Sequence, residues 1–219
     1  MCGRYTLHTN KKKLAAAIAL TLPVDYVADY NIGPGCNTLA IANRDAETTV
    51  ATLMHWGLRT PQNFHINARL ETADTAPRFR ESWIGQRCLL PANGFYEWYQ
   101  DGVTKQPHYI YPSESELIYF AGLWFAPSQE GAPAACVILT TEAQSAIRKI
   151  HDRMPVILPV TAHADWLGNQ LKKADVRALT ASIQLEQYTI SRRVNSIQNK
   201  DSRLIEATAP LVDDQMMLF

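Results

Sequence analysis

Short apolar segments separated by turn residues follow one another through the middle of the chain, and this pattern predicts a β-rich region. Asp101-Gly102 stands between two of these segments and is typical of a hairpin turn. Residues 48–54, rich in Thr and Val, predict an earlier strand, and residues 29–37, with two Gly and one Pro, predict a loop. The later predicted strands are residues 87–90, 94–99, 107–111, 117–123, 135–140, 154–158 and 188–191.

Apolar residues at helical spacing predict a helix before this region. Leu14 and Ile18 share a face of residues 10–20, because they are four positions apart. Thr9 can cap the start of this helix, and Leu22-Pro23 ends it.

Further helices are predicted between and after the strands. Residues 142–150 predict one, with Thr141 as its cap and an acid in the first turn. Phe79 and Trp83 share a face of a short helix after Pro77, and residues 162–169 and 174–182 predict two more. Strands and helices do not alternate strictly, so we expect an α+β fold with a mixed, curled sheet instead of a doubly wound parallel sheet. The length of 219 residues fits one domain, residues 1–219.

The charges of the chain cancel: 21 Lys and Arg balance 21 Asp and Glu. A neutral chain does not bind nucleic acid by bulk charge. Arginine, which outnumbers lysine here, makes bidentate contacts with phosphate. A nucleic-acid site would therefore have to be a local arginine patch.

The four cysteines are Cys2, Cys36, Cys88 and Cys136. They form no CxxC pair, which removes support for a zinc site, and they do not indicate a disulfide scaffold. The N-terminus has no apolar signal region, and no apolar run approaches the length of a membrane span. We therefore expect a protein of the cytoplasm that does not bind membranes.

Cys2 is a candidate nucleophile. Removal of Met1 would leave a thiol and an α-amine on adjacent carbons, with reference pKa values of about 8.5 and about 7.7–8.0. This pair suits aldehydes, because the amine forms a Schiff base and the thiol then closes a five-membered thiazolidine ring. The alternative is that Cys2 is merely a small second residue.

Glu97 and His151 are candidate acid–base groups. Glu97 stands among the aromatic residues of Phe95-Tyr96-Glu97-Trp98, and burial there would raise its pKa. His151 precedes Asp152-Arg153 at the boundary between a helix and an apolar strand, where it could shuttle protons. The alternatives are an exposed acid on a half-buried strand and a histidine that caps a helix C-terminus.

Several basic and amide groups could hold DNA. Residues 67–72 carry Asn67, Arg69 and Glu71, and Arg78, Arg80 and Arg87 follow them. Interleaved with Phe79 and Trp83, these cations could grip a backbone beside stacking surfaces. A solvated helix face is the alternative. Asn31, in a loop with Gly33-Pro34-Gly35, could orient a substrate, and the loop lacks the context of a dinucleotide fingerprint.

Taken together, these residues resemble the SRAP family, named for SOS-response-associated peptidases. The matching segments occur in order over roughly the first three-quarters of the chain. They are Met1-Cys2-Gly3-Arg4-Tyr5, Tyr30-Asn31-Ile32 with Pro34, Trp56-Gly57-Leu58, Asn67-Ala68-Arg69 with Glu71-Thr72, residues 87–98, Ala121-Gly122-Leu123-Trp124, and His151 with Arg153-Met154-Pro155.

The resemblance implies a curled sheet forming a pseudo-barrel with flanking helices, and covalent capture of abasic sites in single-stranded DNA through the N-terminal cysteine. It places Asn31, Glu97 and His151 around Cys2, and it has Asn67, Arg69 and Arg153 contact DNA. Arg4, in a matching segment, and Arg80, beside Phe79, complete the predicted DNA-binding set.

Two positions depart from the family pattern. Gly33-Pro34-Gly35-Cys36 stands where the family usually has Ala-Pro-Thr-Gln, and His55 stands where an Arg usually precedes Trp-Gly-Leu. Both departures remove a polar or cationic group that could contact DNA.

The expected reaction has the Cys2 amine attack C1′ of the ring-opened sugar, after which the thiol closes the ring. Glu97 relays protons, His151 protonates the sugar oxygen, and Asn31 positions the sugar or the amine. No metal or organic cofactor is needed, because the aldehyde is already electrophilic. The Schiff base also permits weak lyase activity by β-elimination. We expect a monomer whose partner is single-stranded DNA with abasic sites.

Two rival functions remain open. Cys2, His151 and Glu97 are the residue types of a thiol peptidase, which could act only once to remove Met1. The third possibility is a plain single-stranded-DNA binding module in which Cys2 is inert.

Overall fold

A computed structural model describes residues 2–101, 104–127, 129 and 131–211 of the chain. The strands are β1 (Tyr5–Leu7), β2 (Asp29–Ile32), β3 (Asn37–Asn43), β4 (Thr49–Trp56), β5 (Leu58–Arg59), β6 (Phe64–His65), β7 (Asn67–Arg69), β8 (Arg87–Ala92), β9 (Gly94–Asp101), β10 (Thr104–Pro112), β11 (Ile118–Phe125), β12 (Ala135–Glu142), β13 (Arg153–Pro155) and β14 (Leu185–Thr189). The helices are α1 (Lys11–Ile18), α2 (Arg80–Gly85), α3 (Ser145–Arg148), α4 (His163–Leu167) and α5 (Lys173–Ala181), with 3₁₀ turns at Val160–Ala162, Arg192–Asn195 and Ser202–Ile205.

The larger sheet curls until it closes on itself. Its order is β11-β8-β3-β4-β12-β13, and β11 also pairs with β12, so five strands form a ring. The pairing of β12 with β4 is parallel, whereas the other pairings around the ring are antiparallel. The predicted α+β fold with a mixed, curled sheet is therefore confirmed.

The second sheet is antiparallel and carries the N-terminal strand. Its order is β14-β10-β9-β1-β2. Tyr5 of β1 lies opposite Phe95 of β9, and both pack against the ring through Phe120 of β11. The main apolar core includes Cys2, Tyr5, Phe95 and Phe120. This packing buries Cys2 and Tyr5 between the two sheets.

The predicted strands in the middle of the chain are confirmed. β9 and β10 form the expected antiparallel hairpin, with Asp101 opposite Thr104. Gly102 of the predicted turn lies outside the described residues. The predicted short helix after Pro77 is confirmed as α2, although Phe79 stands at its N-cap and is buried with Trp83.

The predicted loop at residues 29–37 is wrong over much of its length. Asp29–Ile32 forms β2 beside β1, and β3 begins at Asn37. β3 was not predicted from the sequence. Five consecutive residues of this strand are buried, so it shows no alternation of polar and apolar residues. Asn10, and not Thr9, caps α1: its side chain accepts a hydrogen bond from Lys13 N, whereas the Thr9 hydroxyl accepts one from Asn93.

The predicted helix at residues 142–150 is also wrong over its first part. β12 runs on to Glu142, since Thr141 and Glu142 pair with Met154 and Arg153 of β13. Thr141 therefore lies in a strand, and Gln144 precedes the single helical turn of α3. The strand predicted at residues 154–158 ends at Pro155, and the last strand lies at Leu185–Thr189.

Candidate active site

Cys2 lies at the buried end of the chain segment that leads into β1. This segment follows β9, because Tyr96 N donates to Arg4 O at 2.9 Å just before the pairing of Tyr5 with Phe95. Cys2 is fully buried. Burial raises the pKa of its thiol well above the usual value, and the nearby charge of Glu97 raises it further. The thiol is therefore a poor source of thiolate while it stays buried.

Glu97 lies in β9 and faces the interior. It is 2 % exposed, so it is not the solvent-exposed acid that the sequence left as an alternative. Burial raises its pKa to about 7, and the charge of Asp152 contributes in the same direction. A carboxyl group with this pKa exchanges protons readily at neutral pH.

His151 lies between α3 and β13, next to the Asp152 that acts on Glu97. Its Nδ1 accepts a hydrogen bond from Arg153 N at 2.9 Å and lies 2.9 Å from Asp152 Oδ1. Burial lowers the pKa of His151. A neutral ring that accepts at Nδ1 carries its proton on Nε2. The cap of α3 is Lys149, so His151 does not have the helix-capping role that was its alternative.

Asn67 contacts Cys2 directly. β7 pairs in parallel with β12, and this pairing sets Asn67 opposite Ile138. From there, Asn67 Nδ2 donates to Cys2 O at 2.8 Å. Its Oδ1 is buried and has no hydrogen-bond partner among the described residues. The sequence predicted a DNA contact for Asn67 and not this contact with Cys2. No feature of the neighbouring sequence distinguishes the two roles.

Asn31 is occupied by contacts within the protein. Its Oδ1 accepts from Arg4 Nη1 at 2.9 Å, and its Nδ2 donates to the carbonyl oxygens of Ser196 and Asn199, both at 3.0 Å. Arg4 Nη1 also donates to Val194 O at 3.1 Å. Asn31 and Arg4 therefore hold a distant part of the chain, and the predicted contacts of Asn31 with the substrate and of Arg4 with DNA stay predictions.

Arg153 forms a bidentate ion pair. Its Nη1 and Nη2 donate to the two carboxylate oxygens of Glu71, both at 2.9 Å, and Nη2 also donates to Thr140 O at 2.7 Å. The Arg153 side chain is only 12 % exposed. Burial, the largest single influence, acts to raise the pKa of Glu71, but the hydrogen bonds to its carboxylate and the charges of Arg153 and Arg177 together outweigh it, and the pKa is lowered. A phosphate would have to displace Glu71 to reach the predicted DNA contact.

Arg69 and Arg80 are both exposed, as a DNA contact requires. The hairpin of β5 and β6 lies just before Asn67 in sequence, and in it Arg59 lies 5.0 Å above the ring of Phe64, which is 37 % exposed. We call Arg59, Phe64, Arg69 and Arg80 the basic–aromatic surface.

The expectation that Phe79 and Trp83 offer stacking surfaces is wrong. Both are buried in the core, where Trp83 packs edge-on against Trp166. Arg87 is also buried, 4.5 Å from each of these two tryptophan rings. The apolar spacing of this segment marks packing and not a nucleic-acid surface.

Within the described part of the chain, His, Cys, Asp and Glu side chains form no group of three or more that is arranged to hold a metal ion. Among the same residues, no helix has the length and apolar content needed to cross a bilayer.

Comparisons with known proteins place these residues in a family. The chain is 36 % identical to the abasic site processing protein YoqW of Bacillus subtilis (strain 168), over 94 % of this chain and 100 % of that protein. It is 29 % identical to the abasic site processing protein YedK of Escherichia coli (strain K12), over 94 % of this chain and 99 % of YedK. A crystal structure of a protein from Bacteroides thetaiotaomicron is similar in fold, with a TM-score of 0.80, 22 % identity, and coverage of 95 % of this chain and 100 % of that one. The family model for SOS response associated peptidase (SRAP) matches residues 1–197, and the chain therefore belongs to the SRAP family.

Proposed function

We propose that this protein processes abasic sites in single-stranded DNA during the response to DNA damage, and that it captures them covalently through Cys2 after loss of Met1. The observation that carries the proposal is the burial of Cys2 beside Glu97, a carboxyl group whose pKa is raised to about 7. The relatives YoqW and YedK are named abasic site processing proteins, which supports the same substrate.

The capture reaction joins an aldehyde to an aminothiol and releases water. The α-amine of Cys2 adds to C1′ of the ring-opened sugar, and the resulting carbinolamine loses water to give a Schiff base. The thiol sulfur then adds to C1′, and its proton passes to the nitrogen as the thiazolidine closes. This order fits the raised pKa of the thiol, because the amine makes the first attack and no thiolate is needed until the ring closes.

Glu97 and His151 supply the proton transfers in this proposal. Glu97 accepts a proton from the attacking amine and returns it to the departing hydroxyl group, which its pKa of about 7 permits in both directions. His151, neutral and protonated on Nε2, donates to the sugar oxygen as the sugar ring opens. Asn67 Oδ1, a buried acceptor beside Cys2, is available to orient the new α-amine.

DNA binds, in this proposal, along the basic–aromatic surface. Arg69 ends β7, two residues after Asn67, and its exposed guanidinium group can hold a phosphate next to the captured sugar. Phe64 is exposed enough to stack on an unpaired base. Every group used comes from one chain, so a monomer is sufficient.

The same groups could also support two further activities, a lyase activity and an autopeptidase activity. The Schiff base can undergo β-elimination, which would give weak lyase activity. A thiol autopeptidase that removes Met1 is the alternative use of Cys2, His151 and Glu97. The raised pKa of the thiol weighs against it, because peptide hydrolysis requires a thiolate in the first step.

Intact-mass spectrometry separates these functions. The purified protein, after its mass has shown whether Met1 is absent, is incubated with a single-stranded oligonucleotide that carries one abasic site. Capture predicts a covalent product with the mass of protein plus oligonucleotide minus one water. Cleaved oligonucleotide without an adduct would indicate a lyase, and an unchanged mass with retained DNA binding would reduce the protein to a binding module and contradict capture.

A further inference from the structure

A segment near the C-terminus, far from Cys2 in sequence, is tied to Asn31. We call residues 194–200 the C-terminal strap. Asn31 Nδ2 donates to the strap carbonyls of Val194, Ser196 and Asn199, at 3.4, 3.0 and 3.0 Å. Lys200 Nζ donates to Asn31 O at 2.7 Å and forms an ion pair with Asp29. The strap therefore encloses both the side chain and the backbone of Asn31, which is fully buried.

The other end of the Asn31 amide holds Arg4. Arg4 Nη1 donates to Asn31 Oδ1 and also directly to the strap at Val194 O. Arg4 is two residues from Cys2, and its carbonyl oxygen accepts from Tyr96 N of β9. A path of hydrogen bonds thus runs from the strap through Asn31 to the backbone that carries Cys2.

The strap also contacts the strand that carries Glu97. Trp98, the residue after Glu97, donates from Nε1 to Asn195 Oδ1 at 2.9 Å. The strap is thus joined both to the segment with Cys2 and to the strand with Glu97. These are the two groups whose relative position the capture reaction depends on.

Gly33 allows the strap to lie close to this path. A Cβ atom at Gly33 would come within 2.6 Å of Ile197 Cδ1 and 3.4 Å of Arg4 Nε. Gly33 carries no such atom. Its lack of a side chain leaves room for Ile197 beside Arg4.

We propose that Asn31 is a positioning residue: it joins the C-terminal strap to Arg4 and so fixes Cys2 relative to Glu97. The proposal rests on the proposed capture function and adds to it a residue that does not touch the substrate. Every hydrogen-bonding group of its amide is engaged within the protein. Misplacement of reacting groups by about 1 Å can slow a reaction about a hundredfold, so loss of this contact should appear in the rate.

The test compares Asn31→Ala with a matched variant, Asn93→Ala. Asn93 is also a buried amide, and it bonds to His8, Thr9 and Glu116 instead of Arg4. With saturating abasic single-stranded DNA, Asn31→Ala should lower the single-turnover capture rate about tenfold or more and leave the half-saturating DNA concentration unchanged. Asn93→Ala should keep the wild-type rate. A folded Asn31→Ala protein with the wild-type rate, or one that loses only DNA affinity, would overturn the proposal.

Two further measurements apply if Asn31→Ala does not fold or if the wild-type protein forms no adduct. If Asn31→Ala does not fold, Asn195→Ala removes only the contact with Trp98 and should lower the capture rate less, again without affecting DNA affinity. If the wild-type protein forms no adduct, the capture function fails, but hydrogen exchange at the Tyr96 amide still tests the positioning. That amide, bonded to Arg4 O, should exchange faster in Asn31→Ala or Asn195→Ala than in the wild type, and unchanged exchange in the folded variants would refute the role of the strap.

Discussion

The buried centre around Cys2 and the basic–aromatic surface are built in opposite ways, although Asn67 and Arg69 lie on the same short strand. At the centre, burial changes the acid–base properties of the Cys2 thiol and of Glu97. On the surface, Arg69 and Arg80 remain solvent-exposed. Charges in a low-dielectric interior interact strongly, whereas exposed charges are screened by water and salt. The centre should therefore determine the rate of capture and how that rate depends on pH. The surface should determine the affinity for DNA and how that affinity depends on salt concentration.

The largest effect should follow from Cys2. Cys2→Ala should abolish the stable adduct, because the thiazolidine needs its sulfur, and an uncleaved N-terminal tag should do the same by blocking the amine. Denaturing gel electrophoresis after incubation with abasic single-stranded DNA measures both. Cys36→Ser, which alters a partly exposed thiol that has no α-amine beside it, is the control and should cross-link normally. A tagged protein that cross-links at the normal rate would contradict the role of the free amine.

Glu97→Gln should slow adduct formation by about 10²-fold or more, the range for loss of general acid–base catalysis. The amide has nearly the same shape, so DNA affinity should stay unchanged. In the wild type, the part of the rate that depends on Glu97 should rise with pH around 7, as the carboxyl group ionises. A single-turnover rate profile measures this, and a Glu97→Gln profile that retains the same rise would assign it to another group.

The same carboxyl group should influence stability. Its pKa in the folded protein is raised from 4.5 to about 7, so the folded state binds the extra proton and is favoured at low pH. The free energy of unfolding should therefore fall as pH rises from about 4.5 through 7, by about 3 kcal/mol in all. Urea unfolding at several pH values measures this, with Glu97→Gln as the reference that lacks the titration. Equal pH dependence in the two proteins would show that Glu97 is not buried as described.

The sequence predicted the centre by residue type but not by contacts. Cys2, Glu97 and His151 were candidates by their chemistry, and the resemblance to the SRAP family is what grouped them. The partners of Asn31 could not, because they lie 165 and 168 residues away, on the C-terminal strap. The ion pair of Arg153 with Glu71 likewise joins residues 82 positions apart. Only the folded sheet order brings such groups together.

The fold shows the same division. Strands in the middle of the chain were predicted well, because turn residues bound them. β3 was not predicted, because both faces of this ring strand are buried and it has no polar side to produce alternation. Thr141 was taken for a helix cap, although pairing with Met154 keeps it in β12. Local propensity was overruled in both places by burial within the sheet.

Arg153 and Arg69 test the difference between the buried centre and the exposed surface, because both were predicted to contact DNA. Arg153→Ala should lower the free energy of unfolding by about 2–3 kcal/mol, since it breaks charged hydrogen bonds to Glu71 that are largely buried. Arg69→Ala should change stability little, because its side chain is exposed. Thermal or urea unfolding measures both. If Arg153→Ala is as stable as Arg69→Ala, the ion pair is weak enough for a phosphate to replace Glu71, and Arg153 returns to the DNA-binding set.

The smallest effect is on the salt dependence of DNA binding. Each phosphate contact on a single strand contributes about 0.7 to the slope of log affinity against log salt concentration. Arg69→Ala and Arg80→Ala should each reduce the slope by about that amount, similarly for all sequences, because an abasic site offers no base edge to read. Fluorescence anisotropy with intact single strands measures the slope. Capture should also be slower in duplex, where C1′ is less accessible to the buried Cys2. Salt-insensitive binding would mean that the basic–aromatic surface does not hold the DNA, and capture of abasic duplex as fast as single strand would contradict the preference for single strands.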